Sequence, residues 1–538
     1  MSRFFRNLPW MVVLIATSTG AKTTTPEAAT SEVTFNEHIA PIVHQNCTVC
    51  HREGQAGPFK LESYRDVAKR SQLILDVIED RYMPPWKPVP GHGEFANQRT
   101  LTDEQIEMFG EWVDAGRPEG DADKAPVPPK FSDGWMLGEP DLIVEMDEAY
   151  VVPADGPDVY RNFAVPLNLD EDKWVKAIEY RPSARSVVHH VLFFLDDTGE
   201  AVKADGQDGK PGFNRMNFSR GGGLGGFIPG AEPLYWPGDL AQPIKKGSDL
   251  VLASHFHPSG KVEREKATIG LYFADKPSSK KILSVQVPPV FGRTTGLDIP
   301  AGEKEYRISD AFTLPAAVEG IVISGHAHYV CKTMKMTATF PDQSERSLLY
   351  IDDWDLNWQG SYLYKSPVVL PEGTVLRSEI VYDNSADNPR NPFDPPQRIM
   401  WGRESTDEMG SITLQFVAVD SKDVPKIERA VRSHRGRKVV AQLGKELLNG
   451  DFKERLGMER ERAIQGIVTR LDRNKDQKLQ KLEVPAQYRA NWDKGDVNND
   501  GGLNVEELEA IWPDIRRQIL MDQIRQRRQK PRTTERPS

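Results

Sequence analysis

The sequence predicts a multidomain chain: a small all-α block, then two antiparallel β-sandwiches of jelly-roll type, then an α-helical acidic module near the C-terminus. Three observations carry this. At 538 residues the chain is too long for one core, and roughly 150 residues per domain gives three or four domains. Helical spacing of apolar residues is confined to the first and last parts. Between them, short runs rich in Val, Ile, Phe and Tyr alternate with Gly, Pro, Asn and Asp turns, the texture of antiparallel sandwiches.

The elements follow in order. Residues 1–21 read as an export signal: Arg3 and Arg6 give the positive region, Trp10 to Ala16 the apolar core, and Thr19 and Ala21 the small residues before cleavage. A membrane anchor needs about 20 apolar residues, more than this run or any later one offers. The expectation is an exported chain, periplasmic or extracellular, with no transmembrane span. Residues 22–31 are a Thr/Ala/Pro-rich linker. Over 32–122, helical periodicity covers Phe35 to Val43, Tyr64 to Ile78 and Asp103 to Ala115, the last opened by a capping box of Thr102 and Gln105. A Pro-rich linker, 123–137, leads into the sandwiches, expected over 138–285 and 286–424. A charged helical connector (425–461), the acidic module (462–513) and a basic tail (514–538) complete the chain.

A net charge of -10, with basic residues concentrated only in the tail, excludes nucleic acid as the main partner. Three cysteines exclude a disulfide framework. Two of them stand in Cys47-Thr-Val-Cys50-His51. Two thiols at this spacing can add to both haem vinyls while the following imidazole ligates iron. A redox dithiol does not explain His51, and a zinc site needs further ligands nearby. Met83, in Arg81-Tyr-Met-Pro-Pro-Trp86, is the candidate sixth ligand. Met108 reads as a core residue, and His44 and His92 remain alternatives. In motif order the block resembles small class I c-type cytochromes, which implies a covalent haem c held by Cys47, Cys50, His51 and Met83.

Six of the eleven histidines form three pairs in the β-region: His189-His190, His255-Phe-His257 and His326-Ala-His328. On a strand, residues two apart share a face, so His326 and His328 can hold one metal. Adjacent His189 and His190 share a metal only where the strand kinks, at a bulge or an end. Imidazoles without carboxylates or thiolates suit copper or zinc. Scattered core histidines are the bland reading, which three pairs in one region disfavour.

These pairs, with Thr406-Asp-Glu-Met409, Trp354-Asp-Leu-Asn-Trp358-Gln, Tyr382-Asp-Asn-Ser and Trp401-Gly402, resemble the copper type II monooxygenases. That family includes the peptidylglycine α-hydroxylating and dopamine β-monooxygenases. The resemblance spans about Gly138 to Val417. It implies two copper ions: an electron-transfer copper on His189, His190 and His255, and an oxygen-activating copper on His326, His328 and Met409. His257 competes with His255 as third ligand. Animal members are disulfide-braced and this chain is not. Cys331 reads as a buried structural thiol.

In the acidic module, Asp496, Asn498, Asp500, Gly502, Asn504 and Glu507 occupy the liganding positions of an EF-hand loop, with Gly501 at the turn. Asp472, Asn474, Asp476, Lys478, Gln480 and Glu483 repeat the pattern with Gln477 in place of glycine. An EF-hand pair binding calcium is expected, as a structural clamp rather than a switch. The functional expectation is an exported monooxygenase hydroxylating an unidentified organic substrate with O2, its electrons coming from an external donor through the haem. The competing expectation is a non-enzymatic haem–copper electron carrier or copper-binding protein. A calcium-dependent adhesion protein leaves the histidines without a role.

Overall fold

The structure, a computed structural model, describes residues 33–449 apart from 54–56, 97, 131–133, 157, 215–222, 230–232 and 234, and a subset of residues 464 to 512. The expected export signal, the first linker and the basic tail lie outside the described residues.

Two β-sandwiches dominate. The first is built from β1 (Leu142–Glu145), β2 (Tyr150–Val152), β3 (Val159–Pro166), β4 (Lys173–Arg181), β5 (Val188–Asp196), β6 (Gly223–Phe227), β7 (Gln242–Ile244), β8 (Asp249–Phe256), β9 (Glu263–Glu265) and β10 (Thr268–Phe273). Its sheets have the orders β1-β10-β4-β7 and β3-β8-β5-β6, antiparallel throughout. Phe163, Val191, Leu250, Phe256, Ile269 and Leu271 fill the space between them. Alternate residues of each strand supply this layer, so the two-residue period of the sequence becomes burial directly.

The second sandwich comprises β11 (Ile282–Val287), β12 (Asp298–Ile299), β13 (Tyr306–Thr313), β14 (Val318–Ala327), β15 (Cys331–Thr339), β16 (Glu345–Ile351), β17 (Ser361–Leu370), β18 (Val375–Tyr382), β19 (Ile399–Met400) and β20 (Gly410–Ala418). Its sheets are β11-β20-β14-β17 and β13-β18-β15-β16. β11 straddles the expected division at 285/286 and pairs with β20 along its full length.

The expected fold class is corrected at both ends. The described residues are mostly β-sheet, and those within 32–122 form no separate all-α cytochrome-like domain. The helices there are short, the longest being Asp103–Asp114. Residues 86–96 leave them for the second sandwich. Val89 N–H donates to the Tyr350 carbonyl, Ala96 N–H to Leu363 and Lys365 N–H to Glu94. Phe95 is buried in the second sandwich's core, with Trp86 packed against it. Helical periodicity did not register these aromatics because their burial partners lie far along the chain.

At the other end, the long helix Val424–Asn449 precedes the acidic loops and is not part of an EF-hand pair. Its 26 residues are rich in Lys, Arg, Glu, Ala and Leu, good helix formers. Asp310 of β13 anchors it, bonding His434 and Lys438. At the loops themselves the structure places a two-residue antiparallel ladder, Leu479–Gln480 against Gly502–Leu503, over a small apolar cluster.

Candidate metal centres

β5 and β8 lie side by side, and their ladder is irregular at His189. Val188 faces Phe256 and His190 faces His255, leaving His189 as the extra residue. A regular strand would send residues 189 and 190 to opposite faces, and the bulge turns both toward one point. Nδ1 of His190 lies 3.1 Å from Nδ1 of His189 and 3.4 Å from Nδ1 of His255. Ligand atoms of the three imidazoles all fall within 4.8 Å of one another. Convergent imidazole nitrogens at such spacing fit a nitrogen-ligated metal.

A carboxylate sets the tautomer. Nε2 of His255 donates to Asp158 Oδ2 at 2.8 Å, which leaves the Nδ1 lone pair facing the centre. The other oxygen of Asp158 takes Nδ1 of His257 at 2.7 Å. His255 is buried whereas the His257 side chain is 61% exposed. This geometry favours His255 as the inner residue and puts His257 on the outer side of the same carboxylate. Burial alone would raise the Asp158 carboxyl, but hydrogen bonds from His255, Ser405 and His257 outweigh it and hold it well below the usual carboxylate range. Tyr160 stacks on His255 with ring centroids 4.2 Å apart.

The second cluster sits where β14 ends. His326 lies on the strand and His328 just past it, with ring centroids 5.4 Å apart. Nδ1 of His326 faces Gln359 Oε1 at 2.6 Å, and Nδ1 of His328 faces the Asp407 carbonyl at 3.1 Å. Both oxygens accept, so each Nδ1 carries the proton and each Nε2 is left for a metal. Register pairs Ala327 with Gly410, which brings Met409, one residue earlier, alongside His328. Glu408 fixes that junction. Its Oε1 accepts from the N–H of His328 and Met409, and its Oε2 from Val330. Burial pushes the Glu408 carboxyl up to about 8, against the lowering effect of those backbone donors.

The two clusters meet. The rings of His190 and His326 are 6.5 Å apart, and Ser405, on the loop leading to Met409, donates to Asp158 at 2.5 Å. Burial lowers His189 and His326 to about 4 and His328 to about 3, and takes His190 well below its usual value. All are therefore neutral at ordinary pH, the form that binds metal.

Cys47, Cys50 and His51 form one turn, with the His51 N–H bonded to the Cys47 carbonyl at 2.9 Å. Nδ1 of His51 lies 3.0 Å from the Phe59 carbonyl, so its Nε2 is the ring atom left to act as a ligand. Burial pushes the Cys47 thiol up to about 12, the reverse of what a redox dithiol requires. Cys47, Phe59 and Met108 pack on the helical cluster around Phe109 and Trp112. Met83 lies on the segment that runs toward the second sandwich. Cys331 is a buried thiol at the start of β15.

The acidic loops share one hydrogen-bond plan. Asp472 accepts from the N–H of Asp476 and Gln477, and Asp496 from Asp500 and Gly501. Glu483 and Glu507 reach back to the N–H of Gln480 and Asn504. Gln477 takes a left-handed φ of 64° where the second loop has Gly501 at 85°. A side chain in that conformation costs about 1 kcal/mol, which weakens the first loop relative to the second.

No family model matches the chain, and no curated protein does. Solved structures that it is similar to include PNGF-II, with 10% identity, a TM-score of 0.23 and coverage of 52% of this chain and 65% of that one. The major capsid protein of bacteriophage PM2 gives 9% identity and a TM-score of 0.21, over 52% of this chain and 98% of that one. A peptide-N(4)-(N-acetyl-beta-D-glucosaminyl) asparagine amidase gives 12% and 0.24, over 52% and 97%. Likenesses this slight carry no argument. Among the described residues, no helix is long and apolar enough to cross a membrane.

Sequence reasoning missed the residues that orient the imidazoles. Asp158 stands alone in a loop before β3 and carries no signal. Gln359, Asp407 and Glu408 lie within or beside the stretches Trp354 to Gln359 and Thr406 to Met409, singled out without a role for them.

Proposed function

We propose that this chain is an exported copper-dependent monooxygenase, hydroxylating a C–H bond of an organic substrate with O2 and receiving electrons through a covalent haem. The observation that carries the reading is the paired arrangement of five imidazoles. Three converge through Nδ1 and two present Nε2 beside Met409, with the two sets in ring contact at His190 and His326. Copper bound there supplies one-electron redox chemistry and a site for O2.

The chain's own residues do the rest. His189, His190 and His255 hold the electron-transfer position, and Asp158 fixes the tautomer of His255. His326, His328 and Met409 hold the oxygen-side position; a thioether suits Cu(I). Gln359 and the Asp407 carbonyl keep the protons of His326 and His328 on Nδ1, facing away from the metal. Burial keeps His189, His190, His326 and His328 neutral and excludes bulk water. Cys47 and Cys50 would attach the haem, and His51, with Met83 as candidate partner, would bind its iron. The acidic loops bind calcium as a structural clamp. Substrate and external electron donor are left open by these residues.

The test is stoichiometry followed by turnover. Protein matured in a haem-attaching periplasm, loaded with copper and dialysed, should retain one haem and two coppers per chain. Oxygen uptake that depends on an added C–H substrate then supports the monooxygenase. Retained copper with no such uptake, across a broad substrate panel, sinks it in favour of an electron carrier.

A further inference from the structure

Residues 86–96 tie together two strand edges that belong to different sheets. Among the described residues, β16 ends one sheet of the second sandwich and β17 ends the other. Such edges are ordinarily covered or blunted, because their backbone groups need partners. Here one segment serves both. Pro88 pairs with Ile351 at the end of β16, and the Val89 N–H donates to the Tyr350 carbonyl at 2.8 Å. Further on, Phe95 pairs with Tyr364 near the start of β17, with bonds of 2.8 Å from Ala96 to Leu363 and from Lys365 to Glu94. The Tyr364 ring stacks on Phe95, and its hydroxyl donates to the Leu348 carbonyl of β16.

The two edges are joined by the loop 352–360, and that loop bonds both histidines of the second cluster. Near its start, the Trp354 indole N–H donates to the His328 carbonyl at 3.1 Å. The Trp354 ring lies over Gly325, where a Cβ would come within 3.3 Å of it. At the loop's end, Gln359 Oε1 accepts from Nδ1 of His326 at 2.6 Å. Ser361 faces Ser324 of β14, so the placement of β17 sets where Gln359 stands relative to His326. Segment 86–96 therefore grips both stems of this loop. It also pins the loop itself, because Lys87 bonds Asp353 at 2.8 Å from a side chain only 11% exposed. At the far stem Trp86 packs edge-on to Tyr362 at 5.2 Å, and Phe95 lies against the same ring at 5.5 Å.

We propose that segment 86–96 is a clamp that positions His326 and His328. By holding both stems of the loop it keeps the Gln359 carbonyl, rather than its NH2 group, on Nδ1 of His326. A Gln amide carries an acceptor and a donor at one end, and only a fixed backbone selects between them. With the amide turned, Nδ1 becomes the acceptor, the ring proton moves to Nε2, and Nε2 is lost as a ligand atom. Trp86, Lys87 and Phe95 are thus positioning residues that act through Trp354 and Gln359. The first cluster is oriented separately, by Asp158 on His255. The clamp's bearing on metal rests on the copper reading above; its bearing on the His326 tautomer does not.

The experiment uses the full chain, isotope-labelled at its histidine ring nitrogens. In the metal-free native protein the His326 resonances, identified by their loss in His326→Ala, should report a proton on Nδ1. Phe95→Ala should move them toward the Nε2-protonated form. It should also lower copper affinity at the second centre by about 10-fold, read by competitive chelator titration, with the first centre unchanged. Phe95→Leu, which keeps an apolar group in place, should fall between native and Phe95→Ala. Lys87→Met keeps the alkyl chain and removes only the ion pair; it should give a smaller shift in the same direction. This second variant carries the test if Phe95→Ala does not fold. Native His326 resonances and native second-centre affinity in Phe95→Ala and Lys87→Met overturn the clamp and leave the metal reading standing. Equal losses at both centres of a folded variant overturn it too, since the clamp acts on one. A native chain that retains no copper overturns the metal reading, and the His326 resonances then decide the clamp alone.

Discussion

The two histidine clusters are built on opposite hydrogen-bond plans. In the first, three imidazoles on neighbouring strands converge through Nδ1, and a carboxylate takes the outer proton of His255. In the second, two imidazoles at one strand end present Nε2, and neutral oxygens from Gln359 and Asp407 take the outer protons. An anionic partner makes an imidazole more basic and a better donor to an oxidised metal. A neutral partner, together with a thioether donor, would favour the reduced state. The contrast fits the proposed division, in which the three-imidazole centre would store an electron and the sparser one would leave room for oxygen.

The sharpest way to break this contrast is to empty one centre. His190→Ala removes the imidazole common to both short Nδ1 contacts, and should reduce retained copper from two ions per chain to one. His326→Ala should also remove one, from the other centre. Metal analysis beside a paramagnetic spectrum of each single-copper protein distinguishes the donor sets. Identical spectra from the two variants would mean that the clusters do not differ as described.

Acidification comes next in size. Burial holds His189 and His326 near 4 and His328 near 3, below the value of about 6.5 that each has when unfolded. A depressed pKa means that the unfolded chain binds the proton more readily. Stability is therefore complete above about pH 6.5 and is lost as pH falls toward 4 and then 3. Denaturant titrations of the metal-free protein should show this loss, and His328→Gln should flatten the lower part of the profile. A metal-free protein equally stable at pH 7 and pH 4 would contradict the burial of these rings.

A subtler comparison replaces the outer partners. Asp158→Asn should weaken copper at the first centre by about 10- to 100-fold, the usual size of such an outer-partner effect. Gln359→Leu should weaken the second by less, because a charge-assisted hydrogen bond is worth roughly twice a neutral one. Competitive chelator titrations of each variant read both affinities. Equal losses would remove the asymmetry on which the proposed division of labour stands.

The inner residues of this arrangement were legible in the sequence and the outer ones were not. His-His and His-X-His announce themselves because strand period two and the need for a bulge follow from local geometry. Ladder positions on β5, β8 and β14 then deliver the rings. Asp158 and Gln359 act across 97 and 33 residues, so no local pattern marks them. The same limit explains the ends of the chain. Helical periodicity around Asp103–Asp114 produced a helix, but the burial of Phe95 among Tyr362 and Tyr364 depends on contacts distant in sequence. Reading Trp86 and Phe95 as part of an independent helical domain therefore assigned them to the wrong core. The acidic loops keep their ligand spacing and are joined by the short ladder of Leu479–Gln480 and Gly502–Leu503.

The smallest expected effect comes from His257, and it separates two residues that spacing alone could not. His255 and His257 lie on one strand face and bond the two oxygens of one carboxylate. Their exposure differs sharply: His255 is buried, and the His257 side chain is 61% exposed. Removing an exposed partner from a carboxylate costs about 0.2–1 kcal/mol, and Asp158 still holds His255 and Ser405 after the change. His257→Ala should thus retain two coppers per chain, with first-centre affinity lowered by less than in Asp158→Asn. His255→Ala should lose the first copper altogether. If the outcomes were reversed, with copper lost from the His257 variant, the first centre would be formed by His189, His190 and His257. The carboxylate would then orient the wrong imidazole.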